Sequence, residues 1–358
     1  MIKISRSFNV VPFTNYNVKI TSKNQLQKIV HILEDIDFKY SSNSEEFNFD
    51  YFNGNLDKIT IYCNDQNSQI MINPNAIPIK QIHVSNAIKA TFLKDIIDCY
   101  KLEEYHDDYA PTLLYGMYSL SDVEILKKNK SLKVIISTGG DVNYTSCNPK
   151  SNVKTIKKIN TILKIPKIRF ISTSSFINKS LSDMKIPYLM VPFMGINFDL
   201  YKPVIKGPTI YFYTDGTNKY GTDIYMKLKK VYRKTPFIVT CNKIVYDKLL
   251  NKGKLKHGMK AYDKEQLIKE IYPKCFIGLR LTKHDALAAS VQELGLLGIK
   301  SIHNGCSPSS LNYNTLTDIC THINREMRAV GTMDIELANK VKEYLTIDPK
   351  FFNTSYYS

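Results

Sequence analysis

Tryptophan is absent, and glycine (15) and proline (14) are sparse for 358 residues. No low-complexity tract and no short fixed-period repeat occurs, which excludes collagen-like and solenoid architectures. The seven cysteines contain no C-x-x-C pair, so neither a zinc site nor a structural disulfide framework is expected. No run approaches the ~20 apolar residues that span a bilayer. The opening residues, Met1 to Phe13, lack the apolar core of a secretion signal, and the expectation is a soluble, cytoplasmic protein. Acidic residues are in deficit, 33 against 49 basic, for a net charge of +16. That excess reads either as a lysine-rich solvated surface or as the mark of an anionic partner, leaving a membrane surface open as one. No basic stripe interleaved with aromatics and no nucleic-acid module is present, so no nucleic-acid partner is expected.

Hydrophobic residues make up 43% of the chain, enough for the cores of two domains. Residues 1–79 read as an α+β elaboration: a helix over Gln25–Ile36, a loop over Ser41–Asn55, and strands at Lys58–Cys63 and Gln69–Ile72. From Gln81 to Val191 short apolar runs alternate with helical spacings, the pattern of a parallel, helix-covered sheet. The proline- and glycine-containing stretch Val191 to Pro208 reads as a linker. A second alternating series runs from Thr209, ending in a helix over Asp334–Leu345. The expected division is 1–79 and 80–194 for a first α/β domain, 195–333 for a second, and 334–358 for a helix returning to the first.

The most informative stretch is Cys275–Asn304. A buried strand, Phe276–Leu279, leads into a charged corner, Arg280 to Asp285. A small-residue helix is expected from Ala286 to Leu297, closed by Gly298, with a strand at Ile299–Ile302. The polar chemistry collects at the carboxyl end of a strand, where open α/β sheets bind ligands. Asp285 and Glu293 lie about two turns apart on or near one helix. The small, apolar neighbours of Glu293 predict that it is buried and in need of partners. Gly139-Gly140-Asp141 follows the strand Lys133–Ser137 and reads equally as a cleft loop or as a turn held by an aspartate. Among the seven histidines His284 is best placed, ahead of His83 and His106.

Two acids with seven residues between them, followed by Leu294-Gly295-Leu296-Leu297-Gly298-Ile299, resemble the donor domain of GT-B glycosyltransferases, nearest to glycosyltransferase family 4. The linker Val191–Pro203 resembles that family's hinge, Lys256 to Leu267 its base-facing segment, and Tyr115–Asn143 part of its first domain. The resemblance covers residues from about 80 onward and implies two Rossmann-like domains with a cleft between them. It also implies a nucleotide-diphosphate sugar as donor and a glycan or other hydroxyl acceptor. Reaction would be retaining and independent of metal or any other cofactor, with the leaving phosphate helping to deprotonate the acceptor. Glu293 would hold the ribose and Asp285 the donor sugar. Arg280, Lys219, Lys283, His284 and the amide of Ala286 would face the diphosphate, and Lys256 the base. Gly139, Gly140 and Asp141 would approach from the first domain, Asp141 serving as base if the reaction inverts. Asp285 and Ala286 to Ala289 depart from the family's usual glutamate and glycine. Two alternatives remain open: a non-catalytic nucleotide-sugar or glycan-binding protein, and a nucleotide-sugar epimerase.

Overall fold

The computed structural model describes residues 4–9, 15–21, 46–50, 58–63, 69–75, 77–142, 149–253, 258–282 and 285–357. The leading strands are Ile4–Asn9 (β1), Asn15–Thr21 (β2), Glu46–Asp50 (β3), Lys58–Cys63 (β4) and Gln69–Asn75 (β5). β1 pairs antiparallel with β4, while β2 pairs antiparallel with both β3 and β5. The stretch expected as a loop over Ser41–Asn55 thus holds a strand. The alternation Glu46-Phe47-Asn48-Phe49-Asp50 has the period of two that a strand requires. The helix expected over Gln25–Ile36 lies outside the described residues.

Gln81–Val84 (β6), Lys89–Tyr100 (α1), Glu103–Glu104 (β7), Thr112–Tyr115 (β8), Leu120–Lys128 (α2), Lys133–Ser137 (β9), Pro149–Ile162 (α3), Ile168–Ser172 (β10), Ser175–Asp183 (α4) and Tyr188–Met190 (β11) build the first unit. Its sheet has the order β11-β10-β9-β8-β6-β7, with every pairing parallel. Consecutive residues of β9 feed opposite cores: Val134 and Ile136 pack with Ile82, Leu113 and Ile171, while Ile135 packs with Leu126, Ile159 and Phe170. Both faces are therefore covered by helices, which is why the strand reads as an unbroken apolar run. Ser119 caps α2, in a reciprocal box with Asp122.

The second unit comprises Thr209–Tyr213 (β12), Thr222–Val231 (α5), Phe237–Thr240 (β13), Lys243–Asn251 (α6), Lys264–Gln266 (α7), Cys275–Leu279 (β14), Ala289–Leu296 (α8), Lys300–Ile302 (β15), Ser310–Leu311 (β16), Leu316–Met327 (α9) and Ile335–Leu345 (α10). Its sheet, β13-β12-β14-β15-β16, is again wholly parallel, so the two Rossmann-like α/β units expected from the sequence are both present. The chain leaves β12 toward β13 on one side and returns to β14 on the other. The β12/β14 boundary is thus a topological switch point, where loops diverge and leave a crevice. α9 has no counterpart in the sequence reading, although Thr315 and Asp318 form a capping box ahead of buried Ile319 and Ile323.

The final helix stays with the second unit: Leu337, Val341 and Leu345 pack with Leu294 and Leu297. The residues after it reach the first unit. There Phe351 stacks against Phe193, the Ile79 amide donates to the Phe352 carbonyl, and Arg169 donates to the Tyr357 carbonyl. Among the described residues no helix is long and apolar enough to cross a membrane.

Candidate active site

The loop between β14 and α8 leaves the switch point and meets the first unit. Arg280 follows β14, and its amide donates to the Ile302 carbonyl, so the turn is held to β15. Its Nε lies 2.6 Å from Asp285 Oδ2, with both side chains largely buried. The guanidinium stacks on Tyr213, at the end of β12, 4.3 Å from the ring centroid. It also lies over Tyr220, in the following loop, at 4.8 Å. Lys219, itself exposed, places Nζ 5.4 Å from the Tyr220 centroid. Tyr220 therefore meets two cations, Arg280 from the β14 side and Lys219 from its own loop.

Asp285 also accepts from the amide of Ala286 through Oδ1 at 3.0 Å. The helix predicted to begin at Ala286 begins at Ala289, with Ala288 as N-cap and, among the described residues, no side-chain cap. Asp285 is thus committed to Arg280 and its own turn rather than to capping the helix. None of Ala286 to Ala289 has a positive φ, so alanine is compatible with the backbone here. Gly298 has φ +82, and the Ile299 amide donates back to the Leu294 carbonyl, closing α8 as expected. His303, absent from the sequence reading, sits buried at the end of β15 with Nδ1 3.3 Å from the Arg280 carbonyl oxygen. Burial pushes its imidazole below the usual value, against the pull of Asp285.

Across the crevice stand the carboxyl ends of the first sheet. Ser174, the cap of α4, donates to the Asp285 carbonyl at 3.4 Å. Gly139 faces Ala286 so closely that a Cβ on it would lie 3.4 Å from the Ala286 Cβ. Gly140 borders the ring of Tyr118, whose hydroxyl is 3.0 Å from Thr138 Oγ1. Asp141 is 0% exposed. Its carboxylate accepts from the amides of Met117 and Thr138 at 3.2 and 3.0 Å. Burial holds its pKa above the ordinary carboxylate value. In this arrangement Asp141 braces the Gly139-Gly140 turn, and its full burial keeps it from the crevice surface.

Glu293, on the inner face of α8, is 9% exposed. One carboxylate oxygen accepts from Tyr272 Oη at 2.7 Å and the other from Tyr201 Oη at 3.3 Å. Burial, then the Glu293 charge, pushes both tyrosine hydroxyls well up. Lys256, Lys283 and His284 lie outside the described residues. Among the described residues no group of three or more side chains is arranged to hold a metal ion. The sequence reading missed Tyr118, Tyr201, Tyr213, Tyr220, Tyr272 and His303. In a chain with 24 tyrosines no single one stands out until the fold brings a few of them around Arg280 and Glu293.

No family model and no curated protein matches the sequence. Among solved structures, a sucrose-phosphate synthase from Thermosynechococcus elongatus overlaps at 12% identity, over 65% of this chain and 68% of that one, with a TM-score of 0.48. TarM from S. aureus, solved with fondaparinux, alpha-GlcNAc-glycerol and UDP, overlaps at 10% identity over 69% of this chain and 54% of that one, with a TM-score of 0.48. This chain therefore spans about half the length of TarM. An alpha,alpha-trehalose-phosphate synthase from Burkholderia vietnamiensis overlaps at 7% identity, over 70% and 72% of the two chains, with a TM-score of 0.44. Overlaps this loose decide nothing about activity, which rests on the residues of the site.

Proposed function

We propose that the chain is a GT-B glycosyltransferase that moves a sugar from a nucleotide-diphosphate donor to a glycan or other hydroxyl acceptor. The observation that carries this reading is Arg280. It stands at the switch point of the second sheet, braced by two tyrosines and Asp285, in the same loop whose Ala286 meets Gly139 of the first unit. A guanidinium fixed in place by a carboxylate and two tyrosine rings is oriented in advance for a phosphate, which arginine suits better than lysine. Lys219 adds a second positive charge, and the uncapped amides at the start of α8 a third source of positive potential. Together they would offset the charge that develops on the leaving diphosphate, the role a metal plays elsewhere.

Glu293 would accept from the ribose hydroxyls, and Asp285 from a hydroxyl of the donor sugar. Asp141 is fully buried and braces the Gly139-Gly140 turn, which supports a retaining reaction in which the departing phosphate takes the acceptor proton. The test is release of nucleoside diphosphate from UDP-glucose, UDP-N-acetylglucosamine, GDP-mannose and ADP-glucose without acceptor. Release that disappears in Arg280→Met and Glu293→Ala, with folding intact, is the expected result. Thermal stabilisation by a nucleotide sugar with no release at any enzyme concentration would instead mark a binding protein.

A further inference from the structure

We infer that the linker between the two units is a wall of the donor site, with Tyr201 and Tyr272 as positioning residues that aim Glu293 at a ribose diol. This rests on the reading of Glu293 given above. A carboxylate buried among apolar residues needs donors. Among the described residues no lysine or arginine ion-pairs with Glu293, and two tyrosine hydroxyls serve instead. A carboxylate offers about four acceptor positions, two on each oxygen. The tyrosines take one on each oxygen, which leaves one on each, the pattern that two adjacent hydroxyls of a sugar satisfy.

Both tyrosines are themselves fixed. Tyr272 is 1% exposed and packs edge-on against Tyr211, with ring centroids 5.2 Å apart. Thr240, at the end of β13, donates to Tyr211 Oη at 2.7 Å. Tyr201 belongs to the linker, whose upstream end is pinned to α1 of the first unit. Tyr100 Oη donates to the Met194 carbonyl at 2.8 Å, and a Cβ on Gly195 would fall 2.5 Å from the Ile96 nitrogen. Lys264 of the second unit pairs with Asp95 of α1 at 2.6 Å. Beyond that anchor Met194, Ile196 and Tyr201 pack in the core of the second unit with Tyr211 and Tyr272, so the linker joins α1 to the core that holds Glu293.

The experiment compares binding of UDP, ADP and GDP with that of their 2′,3′-dideoxy counterparts. Wild type is expected to prefer the ribose form of at least one nucleotide. Tyr201→Phe and Tyr272→Phe should each reduce that preference about three- to tenfold, leaving dideoxy affinity unchanged. A variant that only loosened the fold would lower both affinities together. If both phenylalanine variants keep the wild-type preference while Glu293→Gln loses it, the positioning role is overturned and the donor reading stands. If wild type binds no nucleoside diphosphate, or binds both forms equally, the donor reading fails and this inference with it. Should Tyr272→Phe not fold, Tyr201→Phe alone decides.

Discussion

Arg280 and Asp285 form a pair whose energy can be measured without knowing the substrate. Their side chains are 12% and 16% exposed, with Nε and Oδ2 2.6 Å apart. Truncating one partner of a buried pair costs ~3–5 kcal/mol, chiefly because the other charge is left alone. Partial exposure places this pair at the lower end, about 3 kcal/mol. The stacks on Tyr213 and Tyr220 add ~1 kcal/mol each. Arg280→Met should therefore destabilise by about 4–5 kcal/mol, and Asp285→Asn by about 3 kcal/mol. The double variant should cost about 2 kcal/mol less than the sum, because neither charge is then stranded. Arg280→Lys keeps the charge but loses the planar stack, at a cost of about 2 kcal/mol. Urea unfolding of wild type, the two single variants Arg280→Met and Asp285→Asn, and the double variant gives the coupling directly. A coupling below ~0.5 kcal/mol would mean that the two side chains are independent, and the site would lose its electrostatic centre.

Two further predictions concern the scaffold. Burial alone would raise the Asp122 carboxyl, but His83, Ser119 and Ser85 outweigh it and hold it down to about 2. Such a depressed group stabilises the fold above its ordinary value near 3.8 and loses that contribution as the pH falls through about 2. Asp122→Asn should cost about 2 kcal/mol at pH 6, a penalty that shrinks to nothing near pH 2 in acid-unfolding curves. A penalty independent of pH would show that packing, not charge, is at stake. Gly298→Ala should destabilise by about 2–3 kcal/mol, since φ is +82 and the new Cβ would sit 2.6 Å from the Asp334 carbonyl oxygen. A melting temperature equal to wild type would refute the tight approach of α8 to α10.

Much of the framework was legible because parallel strands covered on both faces leave dense apolar runs, as in Lys133–Ser137 and Cys275–Leu279. Ser174, Asp263 and Asp334 cap their helices in the structure, each with a side-chain oxygen that satisfies a free amide. Legibility failed where tertiary contacts override local preference. Ala286 to Ala288 have helix-forming side chains, yet the turn there follows Asp285 to Arg280, and the helix waits until Ala289. Leu316–Met327 is amphipathic, but polar residues in its first turn and the preceding turn-rich stretch masked it.

Residue order alone determined the two alternating α/β series, the linker between them, and the spacing that sets Asp285 and Glu293 two turns apart. These follow from periodicity and chain geometry, which are local. The tertiary structure alone decided which groups share the crevice: Tyr213 and Tyr220 around Arg280, Gly139 against Ala286, Tyr201 and Tyr272 on Glu293. Those partners lie up to 147 residues apart, as with Gly139 and Ala286, and come together only because two parallel sheets meet at their carboxyl ends. The same packing gave Asp141 and Glu293, two acids with similar claims from sequence, different surroundings. One is fully buried and braces a turn through two backbone amides. The other lies on α8 and is held by two tyrosine hydroxyls.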